Sequence, residues 1–163
     1  MNGVTIFIDG STTCEYMANF LSNKSNVTVI TNNISLAVKL SEQGVSVICS
    51  GGKIVEAPSM LGGSDTVETA EKYHADKMFF SSGAISKDGR IITEELYYLI
   101  LKAMAKNSDQ LYYLVDHEKR KQTEELRSAQ YLFDVGKVNY VISDYDFGKD
   151  LQNQYPGTKF ELV

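Results

Sequence analysis

The sequence has no tryptophan, two prolines, two cysteines and two histidines among 163 residues. Its cysteines, Cys14 and Cys49, form no CxxC pair, and the histidines have no helical ligand spacing, so no metal centre is indicated. No apolar run approaches the roughly 20 residues of a membrane-spanning helix. Asp9 interrupts the first apolar stretch, which therefore does not resemble a secretory signal. We expect a cytoplasmic protein in a reducing compartment, without a metal, a cofactor or a membrane span.

Positive charge is also scarce, with 16 Lys and Arg against 21 Asp and Glu, a formal net charge of −5 and a pI of about 5.0. This balance has the wrong sign for a surface that must neutralise the phosphates of a nucleic-acid backbone. It does not exclude a small anion, because a helix N-terminus and one lysine can bind a phosphate. The length and the 43% hydrophobic content predict one globular domain.

Short apolar runs rich in β-branched residues alternate with segments of helical spacing. The runs are continuous rather than alternating, as is typical of parallel strands buried on both faces. They cover residues 4–8, 27–30, 45–49, 77–80, 111–115 and 138–142; the helical segments are 14–21, 35–43, 66–73, 94–105 and 123–133. This order predicts an α/β fold, doubly wound, with a mainly parallel sheet and helices on both faces. Residues 54–63 are expected to form a loop or hairpin, and residues 86–90 a turn.

Small polar residues follow the predicted strands, where open parallel sheets bind their ligands. The polar ends are Asp9-Gly10-Ser11-Thr12-Thr13, Thr31-Asn32-Asn33, Ser50-Gly51-Gly52-Lys53, Ser81-Ser82-Gly83 and Asp116-His117-Glu118-Lys119. Hydroxyls at a helix start favour a phosphate or carboxylate site. The alternative is a plain N-cap without a ligand, and the glycines can equally serve positive φ angles or close packing.

The order of these motifs resembles the C-terminal sensor domain of the DeoR-type transcription regulators, which is related in fold to ribose-5-phosphate isomerase and the CoA transferases. The most specific part is the Asp9-Gly10-Ser11-Thr12-Thr13 loop followed by Thr31-Asn32 after the next strand. Further matching segments are Gly51-Gly52, Gly62, residues 75–79, 102–104, 116–119 and 142–144. The resemblance covers nearly the whole chain.

The resemblance implies a domain that binds a phosphorylated sugar, without catalysis, and signals to an N-terminal winged helix-turn-helix domain absent from this chain. DNA would be bound only through that domain, and a homodimer or homotetramer is expected.

The resemblance also assigns the site residues by position. The phosphate would be held by Ser11, Thr12 and Thr13, and the sugar would lie beside Thr31 and Asn32. Close approach of the backbone to the ligand would be allowed by Gly51, Gly52 and Gly83. Lys119 and Lys102 would supply positive charge, and Asp9, Asp76 and Asp116 would accept from sugar hydroxyls. The sequence departs from the family pattern at two places that bear on the identity of the ligand. The loop reads Gly10-Ser11 where family members commonly have the glycine second. Tyr98 stands where an acidic residue is common, and Glu94 or Glu95 could compensate for it.

Two other classes of function stay open. A sugar-phosphate isomerase or deaminase would need a carboxylate base over the sugar carbon, whereas the fourth predicted strand is followed by Ser81-Ser82-Gly83-Ala84. A pure oligomerisation module would not need converging polar strand ends. Outside the site, we expect Cys49 in the core and Cys14 buried, although a helix start can also lower the pKa of a thiol. His74 is expected at the surface, and His117 either in a solvated turn or beside the ligand.

We predict that a panel of hexose and pentose phosphates at millimolar concentration contains at least one compound that raises the melting temperature. Ligand that binds only the folded state stabilises it by mass action. Differential scanning fluorimetry measures the shift, with the parent sugars as controls for the phosphate. An unchanged melting temperature across the whole panel would contradict a phosphate sensor.

Overall fold

The computed structural model describes residues 3–22, 24, 26–56, 59–120 and 129–163. Seven strands of this described part form one sheet in the order β12-β11-β9-β6-β1-β2-β3, and every neighbouring pair is parallel. Its strands are β1 (Val4–Ile8), β2 (Val27–Thr31), β3 (Ser46–Cys49), β6 (Ala75–Phe80), β9 (Ser108–Val115), β11 (Tyr140–Ser143) and β12 (Lys159–Leu162).

Helices pack on both faces of this sheet, so the predicted doubly wound α/β fold is confirmed. Alternate residues of β1 point to opposite faces: Phe7 belongs to one buried cluster, whereas Ile6 and Ile8 belong to the other. The Ile8 face is covered by α1 (Thr12–Glu15), α2 (Ala18–Leu21) and α3 (Ile34–Glu42). The Phe7 face is covered by α4 (Ser64–Lys72) and α5 (Glu95–Lys106), and α6 (Gly148–Gln154) follows β11.

The strand order reverses direction at β1. From β1 the chain winds outward to β2 and β3 on one side, whereas β6, β9, β11 and β12 extend the sheet on the other. The carboxyl ends of β1 and β6 therefore flank the topological switch point, where the two halves diverge and leave a crevice. Asp9 and Ser81 are the first residues after these two strands.

Antiparallel pairs complete the fold beside the main sheet. The strands β4 (Lys53–Glu56) and β5 (Met60–Gly62) form a hairpin, as the sequence predicted for residues 54–63. A second small sheet has the order β10-β8-β7, with β7 (Ala84–Ile85), β8 (Arg90–Glu94) and β10 (Ala129–Asp134). The predicted turn at residues 86–90 joins β7 to β8, with Gly89 at φ 84°.

Three expectations differ from the structure. The helix predicted over residues 123–133 is wrong from residue 129 on, because β10 pairs with β8 and this tertiary pairing overrides the local spacing; residues 123–128 lie outside the described part. The segment 14–21 splits into the short helices α1 and α2. Cys49 is exposed rather than in the core, because β3 is an edge strand of the sheet.

Gly52 makes a testable contribution to this architecture. It has φ 119°, and a Cβ atom built there would lie 2.5 Å from Thr66 Oγ1 and 2.6 Å from the backbone oxygen of Gly62. Gly52→Ala should therefore lower the free energy of unfolding by about 1–3 kcal/mol. The control is Gly157→Ala, where no atom lies within 4 Å of the added Cβ. Equal stability of the two variants in urea unfolding would refute this role for Gly52.

Candidate functional site

A cavity of about 250 Å³ opens at the switch point between β1 and β6. Its walls come from the ends of β1, β2 and β6, from the β4–β5 hairpin, from the junction of β8 with α5, and from the turn after β9. The lining residues are Asp9, Gly10, Ser11, Thr12, Asn32, Glu56, Ser59, Met60, Ser81, Ser82, Gly83, Thr93, Glu94, Tyr97, Ile100, Leu101 and Lys119.

Ser11 organises the loop after β1. Its hydroxyl donates to Asp9 Oδ1 at 2.6 Å and accepts from the backbone N–H of Cys14 at 3.2 Å, which makes Ser11 the N-cap of α1. The capping interpretation of this serine is thus correct, and it is compatible with a ligand because Ser11 also lines the cavity. Thr12 lines the cavity as well, whereas Thr13 does not.

Asp9 joins the ends of the two strands at the switch point. Its backbone N–H donates to Phe79 O at 3.1 Å, and its Oδ2 accepts from the N–H of Ser81 at 3.3 Å. Oδ1 accepts from both the N–H and the hydroxyl of Ser11. Burial raises the pKa of Asp9, although these hydrogen bonds act in the opposite direction. Its carboxylate therefore positions the loop, and most of its accepting capacity is already used within the protein.

Cys14 lies behind this loop and is fully buried. Desolvation is the main cause that raises the pKa of the thiol well above its ordinary value, and the nearby charge of Asp9 is the next. The prediction that Cys14 is a small buried side chain is confirmed, and a thiolate at the helix start is not favoured.

Two buried polar atoms in the cavity wall have no hydrogen-bond partner among the described residues. They are Asn32 Oδ1 and Ser81 Oγ. Asn32 is held in place by its amide nitrogen, which donates to Leu61 O at 2.9 Å. The neighbouring Ser82 is satisfied, since its hydroxyl donates to Ala84 O at 3.1 Å and lies 2.5 Å from the Tyr113 hydroxyl. Because buried polar groups are nearly always paired, Asn32 and Ser81 are suited to a polar ligand or water.

Two further carboxylates, those of Glu56 and Glu94, line the cavity. The Tyr97 hydroxyl donates to Glu56 Oε2. Desolvation is the main cause that raises the pKa of Tyr97, the hydrogen bond and charge of Glu56 come next, and the charge of Glu94 adds to them. The sequence indicated Glu94 only as a substitute acceptor and did not indicate Glu56 or Tyr97. Met60, from the same hairpin, lies so close to Gly10 that a Cβ there would be 2.8 Å from Met60 Cγ. A glycine at this position therefore lets the hairpin close over the cavity.

Lys119 is the sole lysine or arginine that lines the cavity within the described part of the chain. It lies in a 3₁₀ turn, His117–Arg120, directly after β9. Asp116 caps this turn, because its Oδ1 accepts from the N–H groups of Glu118 at 3.0 Å and Lys119 at 3.3 Å. Asp116 thus holds the lysine-bearing turn and does not itself line the cavity.

Several residues predicted for the site are placed elsewhere. Asp76 lies at the amino end of β6, where it accepts from the N–H of Thr5 at 2.7 Å, so it is at the opposite edge of the sheet. Lys102 is on the outer face of α5 and donates to the Tyr98 hydroxyl at 3.0 Å. Thr31 is buried and accepts from the N–H of Asn33.

Gly51 and Gly52 contact α4 rather than the cavity. The backbone oxygen of Gly51 accepts from Thr66 Oγ1 at 2.7 Å, and Gly52 packs against the end of β5. These contacts are those that the packing interpretation of the two glycines predicts, whereas Gly83 lines the cavity.

Both histidines are exposed and lie outside the cavity. His74 Nε2 is 2.8 Å from Asp109 Oδ1, as expected of a surface residue. His117 Nδ1 is 2.7 Å from Asp144 Oδ2, and its N–H donates to Asp144 Oδ1. In the described part of the chain no group of three or more His, Cys, Asp or Glu side chains could hold a metal ion. None of its helices is long and apolar enough to cross a membrane.

A parallel α/β sheet with a small polar cavity at its switch point is the architecture of domains that accommodate small molecules at the carboxyl ends of their strands. The family described as DeoR C terminal sensor domain matches residues 1–145. The chain belongs to this family.

Curated relatives agree with this assignment. The chain is 31% identical to the HTH-type transcriptional repressor GlcR of Bacillus subtilis over 88% of its own length and 54% of the repressor. It is 30% identical to the Glycerol-3-phosphate regulon repressor of Escherichia coli over 72% of its length and 48% of that protein. The chain thus spans about half the length of these relatives. Both relatives are named as repressors.

The fold is shared with proteins of other functions. The structure of eIF2B beta from Chaetomium thermophilum has a TM-score of 0.58 at 17% identity, covering 86% of this chain and 43% of that one. Ribose 5-phosphate isomerase from Plasmodium falciparum has a TM-score of 0.50 at 15% identity, covering 74% and 46%. At such identities the likeness concerns the fold alone.

The His117–Asp144 pair predicts a pH-dependent signal. The hydrogen bond from His117 to Asp144 is the main cause that raises the pKa of His117 above its ordinary value, and the charge of Asp144 is the next. While Asp144 is ionised, the pair therefore stabilises the fold below the unfolded-state histidine pKa of about 6.5, and this contribution is lost as the pH rises through the folded-state pKa. Asp144→Asn should return the pKa of His117 toward about 6.5. Proton NMR of the two imidazoles measures it, with His74 as the internal control; an unchanged His117 titration would exclude this pairing in solution.

Proposed function

We propose that this domain senses a small phosphorylated sugar, which binds in the cavity at the switch point. The observation that carries the proposal is the meeting of Ser11, Thr12 and Lys119 in one cavity. Hydroxyl groups at a helix start favour an anion, and Lys119 supplies the positive charge that the rest of the wall lacks. The volume of about 250 Å³ suits a small molecule better than a dinucleotide or a peptide.

The charges of the cavity suggest how such a ligand would be oriented. Carboxylates accept from hydroxyls but repel a phosphate, so the phosphate would lie toward Thr12 and Lys119. The hydroxyl-bearing carbons would lie toward Glu56 and Glu94, whose oxygens can accept from them. Asn32 Oδ1, which lacks a partner within the described residues, would be a further acceptor after a small side-chain adjustment. The Gly10-Ser11 order does not preclude this arrangement, because Gly10 accommodates the hairpin.

A relative's name supports the same chemical class. The Glycerol-3-phosphate regulon repressor is named for a phosphorylated polyol, and it is 30% identical to this chain over 120 residues. By extension, the effector of this domain would be a phosphorylated sugar or polyol. We further propose that the domain works within a longer regulator, where an N-terminal winged helix-turn-helix domain binds DNA and the occupied cavity modulates that binding. A homodimer or homotetramer is the expected assembly.

The two adjacent threonines provide a direct test of the phosphate position. From sequence, both Thr12 and Thr13 were expected to bind, but Thr12 alone of the pair lines the cavity. Thr12→Val should weaken binding of the most stabilising sugar phosphate by about 10- to 100-fold, the worth of a hydrogen bond to a charged group. Thr13→Val is the matched control and should change the affinity by less than about twofold.

Isothermal titration calorimetry measures both variants, and circular dichroism checks that each is folded. If Thr13→Val weakens binding as much as Thr12→Val, the whole loop rather than the cavity side of it forms the site. If neither variant weakens binding, the phosphate lies elsewhere and the proposed orientation is wrong.

A further inference from the structure

Helix α5 has a second face that the described part of the fold leaves uncovered. Its inner face supplies Ile100 and Leu101 to the core and the cavity. On the outer side, Leu99 is 64% exposed and Leu96 is 49% exposed. Single exposed leucines are ordinary, but two of them three residues apart on one helix form a contiguous apolar strip.

Charges flank this strip in a self-complementary order. One outer stripe of α5 carries exposed residues at helical spacing. They are Glu95, Leu99, Lys102 and Lys106. If two copies of α5 pack antiparallel about a two-fold axis beside Leu99, Glu95 of each copy lies opposite Lys102 of the other. A two-fold interface requires one surface that complements itself, and this stripe satisfies that requirement.

The surface beside the leucines has a matching groove. A depression of about 730 Å³ lies beside α4 and α5, and Leu99 and Lys102 are among its lining residues. Val67, Leu111 and Phe133 supply apolar surface within it. The depression also has polar and charged lining residues, so this face combines apolar and charged surface, and an isologous contact needs both to be complementary to the same face of the second copy.

We propose that α5 is the contact between two copies of this chain, which pair antiparallel through Leu96 and Leu99 with Glu95 against Lys102. The occupant is a second copy because the order of charges along the stripe is complementary to itself. The negative net charge of −5 disfavours a nucleic acid at this surface. The proposal rests on the outer face of α5 and is independent of which effector fills the cavity.

Sedimentation velocity across a concentration series tests this contact on the full chain. Leu99→Glu should weaken self-association at least about tenfold, because it places a carboxylate at the centre of the interface. Leu162→Glu is the matched control, since Leu162 is 65% exposed but lies on the edge strand β12. A chain that is monomeric at all concentrations, or dissociation by Leu162→Glu but not by Leu99→Glu, overturns the proposal.

A charge-reversal cycle separates loss of pairing from loss of folding. Glu95→Lys and Lys102→Glu should each weaken the dimer by about 2- to 10-fold, because each change creates two like-charge contacts across the axis. The double variant Glu95→Lys/Lys102→Glu should recover affinity close to that of the unmodified chain. Recovery identifies the pairing even if a single variant lowers the melting temperature. A double variant weaker than both singles shows that these residues do not face each other and contradicts the antiparallel arrangement.

Discussion

The carboxylate of Asp9 holds together the point on which the candidate site depends. It follows β1, and it accepts from Ser11 on one side and from the N–H of Ser81, after β6, on the other. Burying a carboxylate costs free energy, which is why the pKa of Asp9 is raised, and the converging donors offset part of that cost. This one group orients the Ser11 hydroxyl and links the loop after β1 to the end of β6.

The parts of the site that could be predicted from sequence are those that the sheet alone positions. Asp9, Ser11, Thr12, Asn32, Gly83 and Lys119 follow parallel strands, whose carboxyl ends share one edge whatever the strand order. Glu56, Met60 and Tyr97 come to the cavity through the hairpin and the β8–α5 junction, so their proximity depends on long-range packing that no local pattern encodes. Cys49 illustrates the same limit, because an apolar strand residue is exposed if its strand lies at the edge of the sheet.

The fold itself does not determine what the domain does. The same architecture occurs in an isomerase and in an initiation factor subunit, with identities of 15% and 17%. After β6, this chain places Ser81 and Ser82 in the cavity wall. Ser82 is committed to Tyr113, whose burial raises the pKa of its phenol and keeps it neutral. The groups after β6 are thus neutral hydrogen-bonding groups, whereas the carboxylates of the cavity wall come from Asp9, Glu56 and Glu94 on other elements.

The central place of β1 in the sheet has a consequence for synthesis on the ribosome. β1 can pair with β2 as soon as the first part of the chain has emerged, but its other edge pairs with β6, and the Asp9–Ser81 contact spans 72 residues. Until β6 has been synthesised, the β1 edge of the nascent β1–β2–β3 sheet is open to pairing with other chains. A small molecule that needs both Ser11 and Ser81 would meet no binding site on such a half-made chain.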